Sequence, residues 1–328
     1  MPKTDKLVVF GNPPFQMQSD IQKGREGVGK IQAKPIYNIF IEAIIDHLNP
    51  RYFSFIVPSR WMVGGMGLDS FRERMMSDRR IKQIAHFPGE NDIFPTVSIA
   101  GGVNYFLWDR GYNGVCTFEV AGTSIERYLN EYDIILQDNN ALPILTKILS
   151  KNNSSIVKEV SSINPFGVKG NFSNWVLDGI KCYAQYKEIK YINENDISNK
   201  NGYINKWKVC VAHIRNEGAS FTGTKWKLLK TPFIVEPNAV CVDTYIVIKT
   251  FDCKEEADNF ITYRNTQFFR FILSLRVVSQ HISKDCYTWV PDVGPYYTPI
   301  TDEKLYKIFN ITRQQQQYIE SKIKEIKE

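Results

Sequence analysis

The sequence predicts an α/β fold in which part of a doubly wound, Rossmann-like sheet is followed by an α+β domain. Three observations lead to this prediction. A short apolar run at residues 7–10 ends abruptly in Gly-Asn-Pro-Pro, which is typical of a buried parallel strand. Strand and helix patterns then alternate as far as residue 120, as in the carboxyl-terminal half of a doubly wound sheet. Beyond residue 155, short β-like runs and turns replace that alternation.

The first predicted strand ends in a rigid, polar tip. Two consecutive prolines cannot continue a sheet ladder, and Pro13 pushes Asn12 into an extended conformation. The amide of Asn12 and the carbonyl of Pro13 are therefore held at the carboxyl end of the strand, where open α/β sheets bind their ligands. Phe15 adds a flat apolar face beside these two hydrogen-bond acceptors. We expect this tip to be a binding site.

The elements that follow are placed by their patterns. Residues 16–34 are polar and glycine-rich and predict a loop. A helix is expected from Pro35, with a core-facing apolar stripe made of Ile36, Phe40, Ile44, Ile45 and Leu48. The later elements are a strand at 52–57, a helix at 68–77, a strand at 81–87, and two strands at 97–108 and 112–120 that are expected to pair as a hairpin.

The composition is typical of a globular protein with two domains. Of the 328 residues, 43% are hydrophobic and 23% are charged, and no apolar run is long enough to cross a membrane. Six cysteines and four histidines are scattered along the chain, which predicts reduced thiols in a cytoplasmic protein and no metal site. The net charge of +6 is compatible with a polyanionic partner.

The segment Asn-Pro-Pro-Phe after an apolar strand resembles the catalytic motif of amino-group DNA methyltransferases, which methylate adenine N6 or cytosine N4. Two further segments, Ile-Val-Pro-Ser-Arg-Trp at 56–61 and Gly-Gly-x-Gly-Leu-Asp-x-Phe-Arg at 64–72, are similar to the adenine methyltransferases of restriction–modification systems. The resemblance covers about residues 7–120. It implies S-adenosylmethionine as the methyl donor, and the preference for adenine over cytosine rests on the resemblance alone.

The resemblance also implies roles for the residues of the tip. The side-chain oxygen of Asn12 and the carbonyl of Pro13 would accept hydrogen bonds from the exocyclic amine of a flipped-out base, and Phe15 would stack on that base. Pro14 completes the motif and stiffens it. Because an aromatic amine is a poor nucleophile, two acceptors outside the ring plane would aim its lone pair at the methyl donor.

Two further features bear on the expected site. Ser59 and Arg60 follow the next strand and are expected either to contact the target base or DNA backbone, or to form a plain salt bridge at a helix entry. The family's glycine-rich cofactor turn should lie well before Asn12, so residues 1–122 are expected to be a partial methyltransferase domain without a cofactor site. The cofactor half would then be a separate polypeptide or lost, and the isolated chain should bind S-adenosylmethionine weakly or not at all.

The remainder of the chain is expected to recognise double-stranded DNA. Residues 123–155 predict a helical connector, and residues 156–328 resemble the target-recognition domain that follows the catalytic domain in these enzymes. Basic and aromatic residues alternate there, although a strand with lysine outside and tryptophan in the core would produce the same pattern. The candidate DNA-contacting residues of the whole chain are Lys23, Arg25, Lys30, Lys169, Lys206, Lys208, Lys225 and Lys227.

These expectations describe a site-specific adenine-N6 DNA methyltransferase of a restriction–modification system. It would require a cofactor-binding subunit or self-association, and no membrane contact is expected. The loop at 16–34 would either close over the DNA backbone or be an ordinary solvated loop. The competing interpretation is a noncatalytic DNA-binding or specificity subunit, or a truncated methyltransferase remnant.

Overall fold

The structure is a computed structural model that divides into two compact units, Met1–Asn140 and Ala141–Glu328. It describes residues 6–18, 33–89, 93, 94, 96, 99, 101–151, 154–198, 202–214, 227–277 and 281–326. Within these residues, no helix combines the length and the apolar character that crossing a membrane requires. The predicted connector 123–155 includes the last strand of the first unit and the first helix of the second.

The first unit is built on a six-stranded mixed sheet with the order β1-β4-β6-β5-β7-β8. Strands β1, β4, β5 and β7 run in one direction, and β6 and β8 run in the opposite one. A separate antiparallel pair, β2 with β3, follows the first strand. The strands are β1 (Val8–Gly11), β2 (Gln16–Gln18), β3 (Ala33–Pro35), β4 (Tyr52–Pro58), β5 (Ile81–Phe87), β6 (Val103–Asp109), β7 (Cys116–Val120) and β8 (Thr123–Arg127).

The predicted hairpin between the strands at 97–108 and 112–120 is wrong. Strand β6 lies between β4 and β5 and is antiparallel to both, whereas β7 pairs in parallel with β5. Both edges of β6 are therefore already hydrogen-bonded, and it has no free edge for β7. The connection between β6 and β7 is as short as a hairpin loop. It nevertheless crosses the end of β5, which lies between these two strands in the sheet.

Strand β1 is parallel to its neighbour β4, but the prediction that β1 is buried is wrong. Within the described residues it pairs on one side only. Val8 and Phe10 point to the same face because strand side chains alternate, and they are 54% and 81% exposed. Val9 points the other way and packs on the core of the unit. One face and one edge of this apolar strand are therefore open to solvent.

Helices α1 (Tyr37–Ala43) and α2 (Asp69–Ser77) pack against the sheet, and a single π-helical turn, Ile44–Leu48, extends α1. The buried stripe differs from the prediction, since Phe40 and Leu48 are exposed while Tyr37 and Ile41 are buried. The observed stripe begins one residue later than predicted, at Tyr37. The prediction left this residue out because its phenol hydroxyl is polar. The core also contains Phe53, Phe106, Trp108 and Phe118, all fully buried.

The second unit is an α+β arrangement with two three-stranded sheets, ordered β10-β9-β13 and β12-β11-β14. The first sheet is mixed, with β9 antiparallel to β10 and parallel to β13, and the second is antiparallel. Its strands are β9 (Ile180–Tyr183), β10 (Ile189–Ile192), β11 (Trp207–Ala212), β12 (Phe233–Val235), β13 (Ala239–Cys241) and β14 (Tyr245–Phe251). Its helices are α3 (Leu142–Lys151), α4 (Lys254–Asn265), α5 (Gln267–Ser274), α6 (Asp302–Ile308) and α7 (Arg313–Lys322).

Candidate functional site

The tip that follows β1 lies open at the carboxyl edge of the sheet. Asn12 and Pro14 are exposed, Pro13 is buried and Phe15 is half-buried. The buried Pro13 anchors the tip, so that the amide of Asn12 is held outward instead of folding onto the core. This arrangement leaves the Asn12 side chain on a rigid segment beside solvent, at the sheet edge where α/β folds bind their ligands.

Two contacts fix the position of Phe15. Its carbonyl accepts a hydrogen bond from the backbone N–H of Ile36 at 3.2 Å, which ties the tip to the start of α1. Its ring lies edge-on to the ring of Phe94, with centroids 6.3 Å apart. The ring is thus held from one side by a second aromatic side chain and remains half-exposed on the other. A ring in this setting can stack on a planar ligand.

Ser59 and Arg60 lie at the same edge of the sheet as the tip, because β1 and β4 are parallel neighbours that end there. Ser59 is fully buried, so its hydroxyl does not face a ligand in this structure. Arg60 is half-buried. The burial of Ser59 favours an internal role for its hydroxyl, and Arg60 is the less buried residue of the pair, although its Nε atom is buried.

A buried polar network surrounds Ser59 and joins three strands. Its hydroxyl lies 2.9 Å from His86 Nδ1 on β5 and accepts a hydrogen bond from Asn104 Nδ2 on β6 at 3.2 Å. Asn104 also donates to the carbonyl of Val57, and the backbone N–H of Ser59 donates to the carbonyl of Gly102 at 2.9 Å. Such fully buried hydrogen bonds hold β4, β5 and β6 in one arrangement at the edge that carries the tip.

Sequence reasoning missed His86 and Asn104. Both are buried polar residues inside strands whose other members are largely apolar. That contrast was the available signal, since a buried polar side chain requires a hydrogen-bond partner. The same edge of the sheet requires a glycine at position 102. Gly102 has a positive φ of 72°, and a side chain there would collide with the carbonyl of Phe87.

The glycine-rich loop between β4 and α2 is closed at one end by the protein's own side chains. A side chain at Gly64 would collide with Arg72 and Asp69, whereas one at Gly67 would meet nothing within 4 Å. The carboxylate of Asp69 accepts hydrogen bonds from the backbone N–H of Gly65 at 3.2 Å and from Arg72 at 2.8 Å, and the first of these is the main reason that the pKa of Asp69 is lowered. These contacts give the Gly64 end of the loop a structural function.

The predicted DNA-contacting lysines have different surroundings. Lys169 and Lys227 are exposed, and Lys206 forms an ion pair with Asp252. The prediction for Lys208 is wrong, because this lysine is fully buried. Its ammonium donates to three backbone carbonyls, those of Ile204 at 3.2 Å, Lys206 at 2.8 Å and Glu236 at 2.8 Å. Lys23, Arg25, Lys30 and Lys225 lie outside the described residues.

A family model and a curated relative match parts of this chain. Residues 7–94 match the Eco57I restriction-modification methylase family. A stretch of 108 residues is 35% identical to a Mycoplasma pneumoniae protein described as an adenine-specific methylase, and it covers 33% of this chain and 24% of that protein. The chain therefore spans about a quarter of the length of the curated relative that it matches.

Two solved restriction–modification enzymes show only a weak structural similarity to this chain. The type IIL enzyme MmeI, solved in complex with DNA, superposes with a TM-score of 0.44 at 9% identity, covering 87% of this chain and 46% of that one. A nuclease-deletion mutant of the type ISP enzyme LlaGI superposes with a TM-score of 0.39 at 12% identity, covering 86% of this chain and 34% of that one.

Proposed function

We propose that this chain carries the base-binding tip and the DNA-recognition unit of an adenine-N6 DNA methyltransferase of a restriction–modification system. The observation that supports this most strongly is the exposed Asn12 beside the buried Pro13, on a strand end within the segment that matches the methylase family.

The proposed chemistry uses the tip as a pair of fixed acceptors. The side-chain oxygen of Asn12 and the carbonyl of Pro13 would each accept a hydrogen bond from one N–H of the adenine amino group. These hydrogen bonds would pull the amine out of conjugation with its ring and present its lone pair, and no covalent enzyme intermediate is needed. The base must leave the duplex stack to reach the tip, and the half-exposed ring of Phe15 would replace a stacking neighbour.

The second unit would supply the contacts to DNA. Lys169 and Lys227 are exposed and available for phosphates, whereas Lys206 would first have to leave Asp252. Lys208 is excluded from this role by its burial. Arg60 is the proposed basic residue of the first unit, since it is half-buried at the edge that carries the tip.

S-adenosylmethionine is the proposed methyl donor, as the resemblance implies, but the described residues do not fit a binding site for it. The one glycine-rich loop among them that follows a strand and precedes a helix, at 64–67, comes after the tip in the chain, whereas the family's cofactor turn should come before it, and Arg72 and Asp69 fill the space at Gly64. We therefore assign the cofactor to a polypeptide segment outside the described residues, and no residue of this chain is given a role in holding it.

The open edge of β1 is the proposed attachment point for that segment. An unpaired strand with exposed apolar side chains is ordinarily avoided in soluble proteins because it promotes aggregation. Val8 and Phe10 form such a surface, and the tip begins two residues beyond Phe10. A strand added there in parallel would hydrogen-bond to the open edge and bring its own carboxyl end next to Asn12, and other parts of that segment would pack on Val8 and Phe10.

The test is the substitution Asn12→Ala, with Asn113→Ala as the matched control. Asn113 is also exposed, but it lies between β6 and β7 at the opposite edge of the same sheet. In the presence of the cofactor-binding partner, Asn12→Ala should reduce methyl transfer on the order of 100-fold or more, as the loss of a preorganised polar contact does in other enzymes.

DNA affinity separates catalysis from binding in the same experiment. Asn12→Ala should leave the affinity for duplex DNA nearly unchanged, because the phosphate contacts are elsewhere. Asn113→Ala should resemble the unmodified chain in both measurements. Methyl transfer that survives Asn12→Ala would show that the catalytic assignment is wrong. DNA binding without methyl transfer in any combination would favour the noncatalytic specificity subunit.

A further inference from the structure

The hairpin formed by β9 and β10 presents an exposed tip. The two strands pair with Ile189 opposite Tyr183 and Ile192 opposite Ile180, and residues 184–188 connect them. Every residue from 185 to 189 is exposed, and the side chain of Tyr186, in the middle of the connection, is 96% exposed. A large aromatic side chain with almost no contact to its own protein is unusual, because its ring normally stabilises the fold by burial.

The backbone at this tip is held in a disfavoured conformation. Tyr186 and Lys187 both have positive φ angles, 59° and 64°, where side chains other than glycine and asparagine are rarely found. Several hydrogen bonds maintain the turn: Ala184 N–H donates to the carbonyl of Glu188 at 2.8 Å, and Lys187 N–H donates to the hydroxyl of Tyr245 at 3.0 Å. A strained turn that its surroundings fix in place often belongs to a functional site.

The charges near the tip are mainly basic. Lys187 forms no ion pair with a described carboxylate, and its ammonium lies 4.9 Å from the ring centroid of Phe233. Lys190 pairs with Glu188 at 3.1 Å, and Lys181 on β9 pairs with Glu236 at 2.6 Å. Lys187 is therefore the cation at the tip that is most available to a polyanion.

Strands β9 and β10 also present a face with aromatic and basic residues, the same residue types that occur at the tip. The register places Tyr191 opposite Lys181, and Ile189 opposite Tyr183, all on one side of β9 and β10. Ile189 and Tyr191 are exposed, whereas Ile192 and Cys182, on the other side, are buried in the core of the unit. The hairpin is thus anchored by one face and open on the other.

We propose that the tip of the β9–β10 hairpin enters a groove of duplex DNA, with Tyr186 against the bases and Lys187 on a flanking phosphate. A two-stranded β-ribbon fits the major groove, where apolar contact with the thymine methyl group and hydrogen bonds to base edges read the sequence. The inference deepens the proposed function, since it rests on the second unit binding DNA. It makes Tyr186 a specificity-determining residue.

The test begins with the full chain and a library of random-sequence duplex DNA, from which bound molecules are selected and sequenced. The unmodified chain should enrich a motif, and Tyr186→Ala should lose preference at one or more positions of it. On a fluorescent duplex that carries the motif, the affinity of Tyr186→Ala should fall about tenfold, with an unchanged dependence on salt. Lys187→Ala should keep the motif but reduce the slope of log affinity against log salt by about one.

Two further variants control for the fold. Tyr186→Asn keeps a residue that accepts the left-handed conformation and should lose the same base preference with the turn intact. Tyr297→Ala removes another exposed tyrosine of the same unit, 69% exposed and outside the hairpin, and should leave both motif and affinity unchanged. Circular dichroism and thermal melting verify that each variant is folded.

The outcomes distinguish this inference from the proposed function. If the unmodified chain binds no duplex DNA, the proposed recognition role and the inference are both wrong. If the chain binds DNA without selecting a motif, or if Tyr186→Ala and Tyr186→Asn select the same motif with the same affinity, the inference alone is overturned. In that last case the exposed hairpin would fit a protein partner better than DNA.

Discussion

The buried Lys208 should make the stability of the second unit rise with pH, and the substitution Lys208→Met isolates this effect. The lysine is fully buried in β11, and burial lowers its pKa from 10.5 to about 8. Methionine has a similar length and no charge, so the variant retains the packing of the side-chain stem. It removes the titrating group and the three hydrogen bonds that the ammonium donates, although the carbonyls of Ile204 and Glu236 keep their backbone donors.

The direction of the effect follows from the protons bound in each state. Below pH 8 the lysine is protonated in both the folded and the unfolded chain, and the folded state bears the full cost of burying the charge. Between pH 8 and 10.5 the folded protein releases the proton while the unfolded chain retains it, so the free energy of unfolding increases with pH. The total change is about 3 kcal/mol, because the pKa falls from 10.5 to about 8 and each pKa unit corresponds to about 1.4 kcal/mol.

Urea unfolding at several pH values measures this contribution. Groups away from Lys208 titrate alike in both proteins, and the pKa of Cys241 beside it is held well above 9 by its hydrogen bond with Cys210 and by burial, so the quantity of interest is the difference between the unmodified chain and Lys208→Met. That difference should move in favour of the unmodified chain by up to about 2 kcal/mol between roughly pH 7.5 and pH 9.5. A constant difference over this range would show that Lys208 is not held in a low-dielectric interior, and a difference of opposite sign would refute the reasoning.

Other predictions concern the site and its ligands. Ser59→Ala should lower the free energy of unfolding by about 2 kcal/mol, because His86 and Asn104 would each lose a buried partner, and unchanged urea unfolding would contradict the network. Calorimetric titration of the isolated chain with S-adenosylmethionine should show weak binding or none, and tight binding would place the cofactor site in this chain. The affinity for duplex DNA should fall steeply as salt increases, whereas a flat response would argue against phosphate contacts.

Much of the first unit can be predicted from the sequence, because its elements have strong local signals. The apolar runs that become β1, β4 and β5 end in proline or glycine, and helix α2 follows a glycine-rich turn. The two wrong predictions, the pairing of β7 and the burial of β1, have a common cause. Whether β7 pairs with β6 or β5 depends on contacts that are distant in the sequence, and so does the exposure of β1.

The candidate site shows the same division between local and long-range information. The rigid tip at Asn12 is a property of its own four residues, and the structure places it at an accessible edge. In contrast, the burial of Lys208 depends on the carbonyl of Glu236, which is 28 positions away, and no local pattern distinguishes this lysine from Lys206. The strained turn at Tyr186 also escaped prediction, since nothing in Gln-Tyr-Lys indicates a left-handed backbone.

The most direct test of the central proposal is the identity of the methylated nucleoside. Amplified, unmodified DNA would be incubated with S-adenosylmethionine and the chain together with its cofactor-binding partner, digested, and analysed by mass spectrometry. The arrangement of Asn12 and Pro13 predicts methylation of an exocyclic amine, and the resemblance selects N6-methyladenine, which should form with the unmodified chain and be absent with Asn12→Ala. The appearance of 5-methylcytosine, or of equal N6-methyladenine with both proteins, would contradict the role assigned to the tip.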